Sequence, residues 1–154
     1  MIINNNTDNS YQQYFNAEHN MLRKALREFV KKEITPFVDE WEAAGEFPRD
    51  LYKKLGDLGY LGIGFPEDIG GSGGDIFSTV VFNEEMMRCG AAGLVAGLGS
   101  HGIGLPPIAL KGTPEQVDRF VKPVLAGDRI AALGITEPGG GSDVANLQTT
   151  AVRD

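Results

Sequence analysis

Apolar residues recur every three or four positions along the first part of the chain, between about Glu18 and Trp41. This spacing places them on one side of an amphipathic helix that packs on a core. Pro36 interrupts the pattern, so we predict a kink or a division into two helices there. The apolar stripe contains Leu22, Leu26, Phe29, Val30, Ile34, Phe37, Val38 and Trp41. The basic residues on the other sides are predicted to face solvent, and they are Arg23, Lys24, Arg27, Lys31 and Lys32.

Turn residues and capping signals divide the next part of the chain into further helices. The predicted helices cover about residues 47–58, 75–88, 93–109 and 114–123. Gly59 and Gly90 stand where they would end the first two of these helices. Thr113, Pro114 and Gln116 have the order of a capping box with proline at the first helical position, which predicts the start of the last helix.

The exposure of two glutamates and two histidines in the predicted helices can also be predicted. Glu84 and Glu85 are predicted to be solvated acids on a packed helix, because acidic side chains are seldom buried. His19 opens the first helix and is predicted to lie at the surface. His101 falls in the glycine-rich helix or at its end, and we predict a packed, hydrogen-bonded histidine.

The periodicity changes from residue 130 onward. Residues 130–135 form a short continuous apolar run between turn signals, which predicts a buried strand, and residues 147–153 predict a second one. Two strands cannot bury a sheet face alone. We therefore expect the chain to be incomplete, and residues beyond about 130 to be disordered or paired with another molecule.

Composition narrows the classes of function. The chain has 154 residues and a net charge of −7, which argues against nucleic acid as a partner. A single cysteine, Cys89, forms no internal disulfide, and no group of His, Cys and Asp has metal-ligand spacing. The sequence shows neither a secretory signal nor an apolar run of about 20 residues, so we expect a cytoplasmic protein without a membrane span.

The glycine-rich stretch near the end of the chain carries the clearest chemistry. Residues 136–143 read Thr-Glu-Pro-Gly-Gly-Gly-Ser-Asp, directly after the apolar run. Three adjacent glycines are free to take positive φ and have no side chain to keep a ligand away. Successive amide groups can then converge on an anion, and Thr136 and Ser142 add hydroxyl groups. The stretch matches neither a Walker loop nor a G-x-G-x-x-G fingerprint.

Residues 135–144, Ile-Thr-Glu-Pro-Gly-Gly-Gly-Ser-Asp-Val, resemble the flavin-binding signature of the acyl-CoA dehydrogenase family, and the resemblance continues through residues 145–151. Residues 62–74 resemble the Pro-Glu…Gly-Gly connection of the family. Residues 111–116 and 123–128 resemble its Gly-Thr-x-x-Gln segment and its Leu-x-x-Gly-Asp turn. Order and spacing run in step with the family from about residue 18 to residue 154.

The resemblance implies a mainly α fold: the helical-bundle N-terminal domain of the acyl-CoA dehydrogenase type, followed by the first strands of a truncated β-domain. We accordingly expect a polar, disordered tail over residues 1–17 and a helical domain over residues 18–129. Residues 130–154 are expected to be the incomplete start of the middle β-domain. The chain is less than half the length of a complete family member.

The resemblance also implies which residues contact FAD. Ile135 and Thr136 would supply an amide and a hydroxyl group to the polar edge of the flavin. Gly141 and Ser142 would approach the pyrophosphate, and Ser142 would also touch the acyl-CoA substrate near its thioester. Leu133 stands where the family often has an aromatic residue, so a ring contact is not expected there. The full set is Leu133, Gly134, Ile135, Thr136, Glu137, Pro138, Gly139, Gly140, Gly141 and Ser142.

In the family a carboxylate of the C-terminal bundle removes the α-proton of the acyl-CoA, and the β-hydrogen leaves as hydride to the flavin. No residue of this chain matches that base. Glu137 is expected to cap the loop or to form a salt bridge instead. The chain by itself is therefore expected to be inactive.

Several alternatives stay open at this stage. The electron acceptor of the full-length protein is either an electron-transferring flavoprotein or oxygen, and a homo-oligomer, tetramer or dimer, is expected. An acyl-CoA oxidase or a flavin monooxygenase on the same scaffold is the alternative within enzymes. A truncated, non-catalytic helical module is the alternative outside them.

Overall fold

The computed structural model describes residues 9–153, with side chains from residue 11 onward, and it is mainly α-helical, as predicted. Its α-helices are α1 (Asn9–Gln12), α2 (Ala17–Phe29), α3 (Val38–Ala44), α4 (Asp50–Asp57), α5 (Ile76–Met86), α6 (Ala92–Leu98), α7 (His101–Gly104), α8 (Pro106–Lys111), α9 (Pro114–Gln116) and α10 (Lys122–Leu125). The π-helical stretches are Val30–Ile34 and Val117–Val121. The 3-10 turns are Thr35–Phe37, Tyr60–Gly62, Glu67–Ile69, Met87–Cys89 and Val144–Asn146.

Residues 1–8 of the predicted polar tail lie outside the described residues. The last part of the predicted tail packs on α5 through aromatic rings. The rings of Tyr14 and Phe77 stack with their centroids 5.7 Å apart, and Phe15 meets the edge of Phe77 at 5.9 Å. These contacts bring the N-terminal residues onto the helical part of the chain.

Each π-helical stretch ends two residues before a proline in the helical path, and the proline explains it. Pro36 and Pro123 have no amide hydrogen, and each ring crowds the carbonyl group four residues earlier. The helix widens to accommodate the ring, so that the Thr35 amide donates to the Val30 carbonyl, five residues back. The predicted interruption at Pro36 is thereby confirmed: the helix continues, but as π and 3-10 turns before α3.

Two hydrophobic clusters hold the helices together. The larger cluster joins α2, α4, the end of α5 and α6, and contains Phe29, Val30, Ile34, Leu51, Tyr52, Leu55, Leu61, Met86, Cys89, Ala91, Leu94 and Leu98. The smaller cluster lies around α10 and contains Leu105, Val117, Val121, Val124 and Leu125. The smaller cluster matters for the site, because Ala131, just beyond the helical part, packs against it.

Backbone contacts join α4 to the turn that follows α10. A Cβ atom on Gly56 would lie 2.3 Å from the carbonyl carbon of Ala126, and one on Gly127 would lie 2.2 Å from the carbonyl oxygen of Tyr52. Gly127 also has a positive φ of 76°. Only glycine fits such an approach. The turn is therefore fixed immediately before the segment that carries the predicted cofactor residues.

The prediction that Glu84 and Glu85 are both solvated is wrong for Glu85, which is fully buried. Its carboxylate accepts hydrogen bonds from Arg27 at 2.8 and 2.9 Å and from Arg23 at 3.1 Å. It also pairs with Arg88 at 2.8 Å. Burial alone would raise the pKa of Glu85, but these hydrogen bonds and the charge of Arg88 lower it overall. Arg23 and Arg27 therefore join α2 to α5, and the Arg27 side chain does so while 48% exposed.

The surface position predicted for His19 is also wrong, because the side chain is only 5% exposed. Its Nδ1 accepts a hydrogen bond from the Asn16 amide at 3.1 Å, and its Nε2 donates to the Asp75 carboxylate at 2.8 Å. Asp75 is the N-cap of α5 and also accepts from the Ser78 amide at 2.9 Å. That amide, together with His19, lowers the pKa of Asp75. His19 thus ties the start of α2 to the start of α5.

One helical stretch, Ala92–Lys111, is long and apolar enough to cross a membrane by length and composition alone, with a mean hydropathy of 1.3. The sequence analysis expected no such segment. The stretch breaks into α6, α7 and α8, and its Leu94, Leu98 and Leu105 lie in the two hydrophobic clusters. A core helix of a globular domain meets the same test, so the absence of a span stays a prediction.

Neither of the two predicted strands is present in the described residues. Residues 130–135 and 147–153 are irregular, and the pairings outside helices are the isolated bridges Ile63–Gly73 and Glu137–Gly140. A strand needs a neighbour to take up its amide and carbonyl groups, and the described chain offers none here. The domain boundary near residue 130 stays a prediction.

Candidate cofactor site

The segment that carries the predicted cofactor residues begins on the helical part. The Ser100 hydroxyl, just before α7, donates to the Ala131 carbonyl at 2.8 Å. A Cβ atom on Gly104 would lie 3.6 Å from the Cβ atom of Ala131, which is ordinary van der Waals contact. The entry of the segment is therefore anchored, and most of the residues that follow are exposed.

Residues 137–140 form a hydrogen-bonded turn. The Glu137 amide donates to the Gly140 carbonyl at 2.9 Å, and the Gly140 amide donates to the Glu137 carbonyl at 3.1 Å. Pro138 stands at the second position of the turn, where its fixed φ is favoured. The turn therefore forms from local contacts alone and presents Gly139 at its tip.

The Glu137 carboxylate closes a wider loop. It accepts the Gln148 amide and the Thr149 amide, both at 2.8 Å, and also a short hydrogen bond from the Thr149 hydroxyl. The Gln148 amide is the main cause of a lowered pKa at Glu137, and the Thr149 donors add to it. This is the loop-capping role that was expected as an alternative to a base. A carboxylate with three donors and a lowered pKa is a poor proton acceptor.

The three consecutive glycines are free to take positive φ, but none of them does so in this structure. Gly139, Gly140 and Gly141 all lie outside the left-handed region. A Cβ atom on Gly139 or Gly140 would meet no other atom within 4 Å. Neither backbone strain nor crowding in the described residues requires glycine there. The missing side chains leave room for another molecule to approach the backbone.

Hydrogen-bond donors in this stretch are free. Within the described residues the amides of Gly139, Gly141 and Ser142 donate to no protein acceptor, and neither do the Thr136 and Ser142 hydroxyls. All four residues are exposed. Exposed amides close together along one turn suit an anion such as a phosphate.

A cavity of about 650 Å³ lies beside the turn. Of the ten predicted residues it brings together residues 137–140, whereas residues 133–136 and 141–142 lie outside its lining. Its other walls come from Asp143, Asn146, Leu147, Gln148 and Thr149. The site prediction missed these five residues, although the resemblance continued through residues 145–151. These residues line the cavity because the chain folds back, so that the Gln148 and Thr149 amides contact the Glu137 carboxylate.

A second cavity, of about 400 Å³, lies inside the helical part and has mainly apolar walls. His101 is one wall, with its Nδ1 atom 2.7 Å from the Leu98 carbonyl oxygen and its Nε2 atom 3.1 Å from that of Leu61. The prediction of a packed, hydrogen-bonded histidine is confirmed. The other walls of this cavity were not predicted from the sequence, because they come from segments far apart in the chain. They include Tyr60, Phe65, Ile69, Phe82, Pro106 and Leu110.

Comparison with known proteins gives a consistent result. A family model described as acyl-CoA dehydrogenase, N-terminal domain, matches residues 16–128. Among curated proteins, the caffeyl-CoA reductase–Etf complex subunit CarC of Acetobacterium woodii is 39% identical over 140 residues, which are 90% of this chain and 37% of that protein. The chain thus spans little more than a third of the length of this curated relative.

Two solved structures of acyl-CoA dehydrogenases are also similar to the chain. The crystal structure of a probable acyl-CoA dehydrogenase from Mycobacterium abscessus is 47% identical, with a TM-score of 0.86, over 92% of this chain and 38% of that one. An acyl-CoA dehydrogenase from Bacillus anthracis, crystallised in complex with FAD, is 36% identical, with a TM-score of 0.79. That match covers 88% of this chain and 23% of the other.

Proposed function

Because the chain belongs to the acyl-CoA dehydrogenase family, we propose that the whole protein is an FAD-dependent enzyme that oxidises the Cα–Cβ bond of acyl-CoA thioesters. The observation that carries this proposal is the open glycine turn at residues 137–141. Within the described residues the amides of Gly139 and Gly141 donate to no protein acceptor, and no contact there requires glycine at these positions. A solved relative from Bacillus anthracis holds FAD, which supports the same cofactor here.

The residues of the turn fit the polar parts of FAD. The amides of Gly139, Gly141 and Ser142 suit the pyrophosphate, since they are exposed donors without a protein acceptor. Ile135 and Thr136 would offer an amide and a hydroxyl group to the flavin edge. Such neutral donors stabilise developing negative charge without adding a group that titrates. Bound FAD supplies a hydride acceptor for the β-hydrogen of the substrate.

The apolar cavity beside His101 supports an acyl-CoA substrate. Its walls are mainly apolar, as an acyl chain requires, and a cavity of about 400 Å³ is of the size of a small-molecule site. His101 would act here as a wall, because both ring nitrogens already face carbonyl oxygens. Ser142 would contact the substrate near its thioester.

The base for the α-proton is proposed to lie outside this chain. Glu137 lies in the turn of the cofactor segment, residues 131–149. Its carboxylate oxygens already accept hydrogen bonds from Gln148 and Thr149. We accordingly propose that the 154 residues alone do not catalyse the reaction.

The remaining partners are proposals of the same kind. A curated relative belongs to a complex with Etf, which supports an electron-transferring flavoprotein as the acceptor, with oxygen as the alternative. We also propose a homo-oligomer in the cytoplasm. Acyl-CoA oxidases and flavin monooxygenases differ from dehydrogenases in their reaction with oxygen, so the test below separates them.

The test is to purify the product of the complete native gene and to record its intact mass and its visible spectrum. A yellow protein that is bleached anaerobically by butyryl-CoA or palmitoyl-CoA supports the proposal. Rapid recovery of the colour in air would favour an oxidase. A colourless product that takes up no added FAD would overturn the proposal and favour a non-catalytic helical module.

A further inference from the structure

Glu137 does more in this structure than occupy a position in the cofactor segment. We infer that Glu137 is a positioning residue: its carboxylate holds Gln148 and Thr149 against the turn, so that the free amides of the turn are presented to the pyrophosphate of FAD. This inference rests on the proposed function, since it takes FAD as the ligand of the turn.

The geometry of the carboxylate carries the inference. One oxygen accepts the Gln148 amide, and the other accepts both the amide and the hydroxyl of Thr149. These contacts close a loop from residue 137 to residue 149 and form one wall of the 650 Å³ cavity. The closed loop has no strand partner in the described residues. The carboxylate is therefore the main group that determines where residues 148–149 lie relative to the turn.

The negative charge of Glu137 allows a test of the inference, because the two possible roles of Glu137 predict opposite changes in FAD affinity. A carboxylate close to a pyrophosphate repels it, because both are negative. If Glu137 were only a charged neighbour of the ligand, replacing it by glutamine would strengthen FAD binding. If it positions the loop, the same replacement weakens binding. Glutamine has one acceptor oxygen where the carboxylate has two, and its amide group would face donors.

Thr149 offers a second, independent probe. Thr149→Val removes the hydroxyl donor but keeps the backbone amide, so it removes one of three hydrogen bonds to Glu137. Thr149→Ser keeps both donors and serves as the conservative rescue. Thr150→Ala is the matched control, because Thr150 is the exposed neighbour of Thr149, lies outside the lining of the cavity and makes no hydrogen bond to Glu137 in the described residues.

The experiment is titration of the apoprotein of the complete gene with FAD and, in parallel, with riboflavin, which has no phosphate. We expect Glu137→Gln to weaken FAD binding by roughly tenfold. Thr149→Val should weaken it less, and Thr149→Ser and Thr150→Ala should bind FAD like wild type. Riboflavin binding and the melting temperature should be unchanged throughout.

Three results would overturn the inference, and they are distinguishable. If wild type binds FAD and Glu137→Gln binds it equally well or more tightly, the positioning role is wrong and the proposed function stands. If wild type binds no FAD, the proposed cofactor is wrong and the inference falls with it. Equal weakening of FAD and riboflavin binding would also count against it, since it would indicate general damage to the fold.

Discussion

Glu85 in the helical part and Glu137 in the cofactor segment are both carboxylates with lowered pKa values, but the two regions hold them in different ways. Glu85 is fully buried and receives arginine side chains from α2. Glu137 is half-buried and receives backbone amides from its own segment, 11 and 12 residues later. The helical part satisfies its polar groups across helices, whereas the segment does so locally and leaves its other donors free for a ligand.

This comparison implies that damage in the two regions has different consequences. Changes in the helical part should cost global stability, because they break contacts between elements. Changes in the segment should alter local order and ligand binding and leave the unfolding transition nearly unchanged.

The largest effect is expected from Glu85→Ala, which leaves three arginine side chains without their shared partner. We expect a loss of about 4 kcal/mol in the free energy of unfolding, measured by urea denaturation at neutral pH. The control is Glu84→Ala, whose side chain is 37% exposed and pairs with Arg23. It should cost below about 1 kcal/mol. Equal losses for the two variants would contradict the contrast between buried and exposed carboxylates.

A second prediction compares two leucines. Leu55 is completely buried in the larger cluster, so Leu55→Ala should cost about 3 kcal/mol through lost burial and a cavity. Leu147 in the cofactor segment is 42% exposed, and Leu147→Ala should change the free energy of unfolding by less than about 0.5 kcal/mol. A large loss from Leu147→Ala would mean that the segment is part of the cooperative core.

A smaller effect is expected at the start of α9. The Thr113 hydroxyl accepts the Gln116 amide at 3.2 Å, and Thr113→Ala should cost about 1 kcal/mol. Thr150→Ala is the control, since Thr150 is exposed and caps no helix. Both changes can be measured by thermal unfolding monitored by circular dichroism. An unchanged stability in Thr113→Ala would show that the cap contributes nothing.

The smallest effect on the whole molecule is expected from the titration of Glu137. Its pKa is lowered from the ordinary value of 4.5, so its hydrogen bonds contribute fully above that pH and are lost as the pH falls through the lowered pKa. The amide proton shifts of Gln148 and Thr149, followed by NMR, should therefore titrate below pH 4.5. In Glu137→Gln this titration should disappear. A midpoint above pH 4.5 in the wild type would show that the hydrogen bonds do not favour the charged form.

Features that depend on a few neighbouring residues were predicted well. The capping box of Thr113 and Gln116 is present with both hydrogen bonds, at 2.8 and 3.2 Å. Gly59 and Gly90 have positive φ values of 75° and 82°, as residues that end helices do. Each of these features is closed within about one helical turn, so residue order and spacing were enough to predict it.

The strand predictions failed because a strand, unlike a helix cap, depends on a partner segment. The apolar run at residues 130–135 is compatible with a strand, but a strand exists only when a neighbouring segment takes up its backbone groups. The inference that residues 133–142 contact FAD came from residue types and from the resemblance to the family, and it stays a prediction. The structure forms a turn at residues 137–140 within this stretch. The φ angles of its glycines were not predicted, because the residue type allows both signs of φ, and the hydrogen-bonded turn at residues 137–140 forms without a positive φ.

The sequence by itself determined the helical class, the helix ends at Gly59 and Gly90 and the interruption at Pro36, and it singled out the glycine-rich stretch that is proposed to bind FAD. Tertiary structure decided which polar residues are buried and what they contact. His19 meets Asp75 across 56 residues, and Arg27 meets Glu85 across 58. The physical reason is that helix periodicity and capping depend on nearby residues, whereas burial depends on which distant segments pack together. No local pattern in the chain specifies that packing.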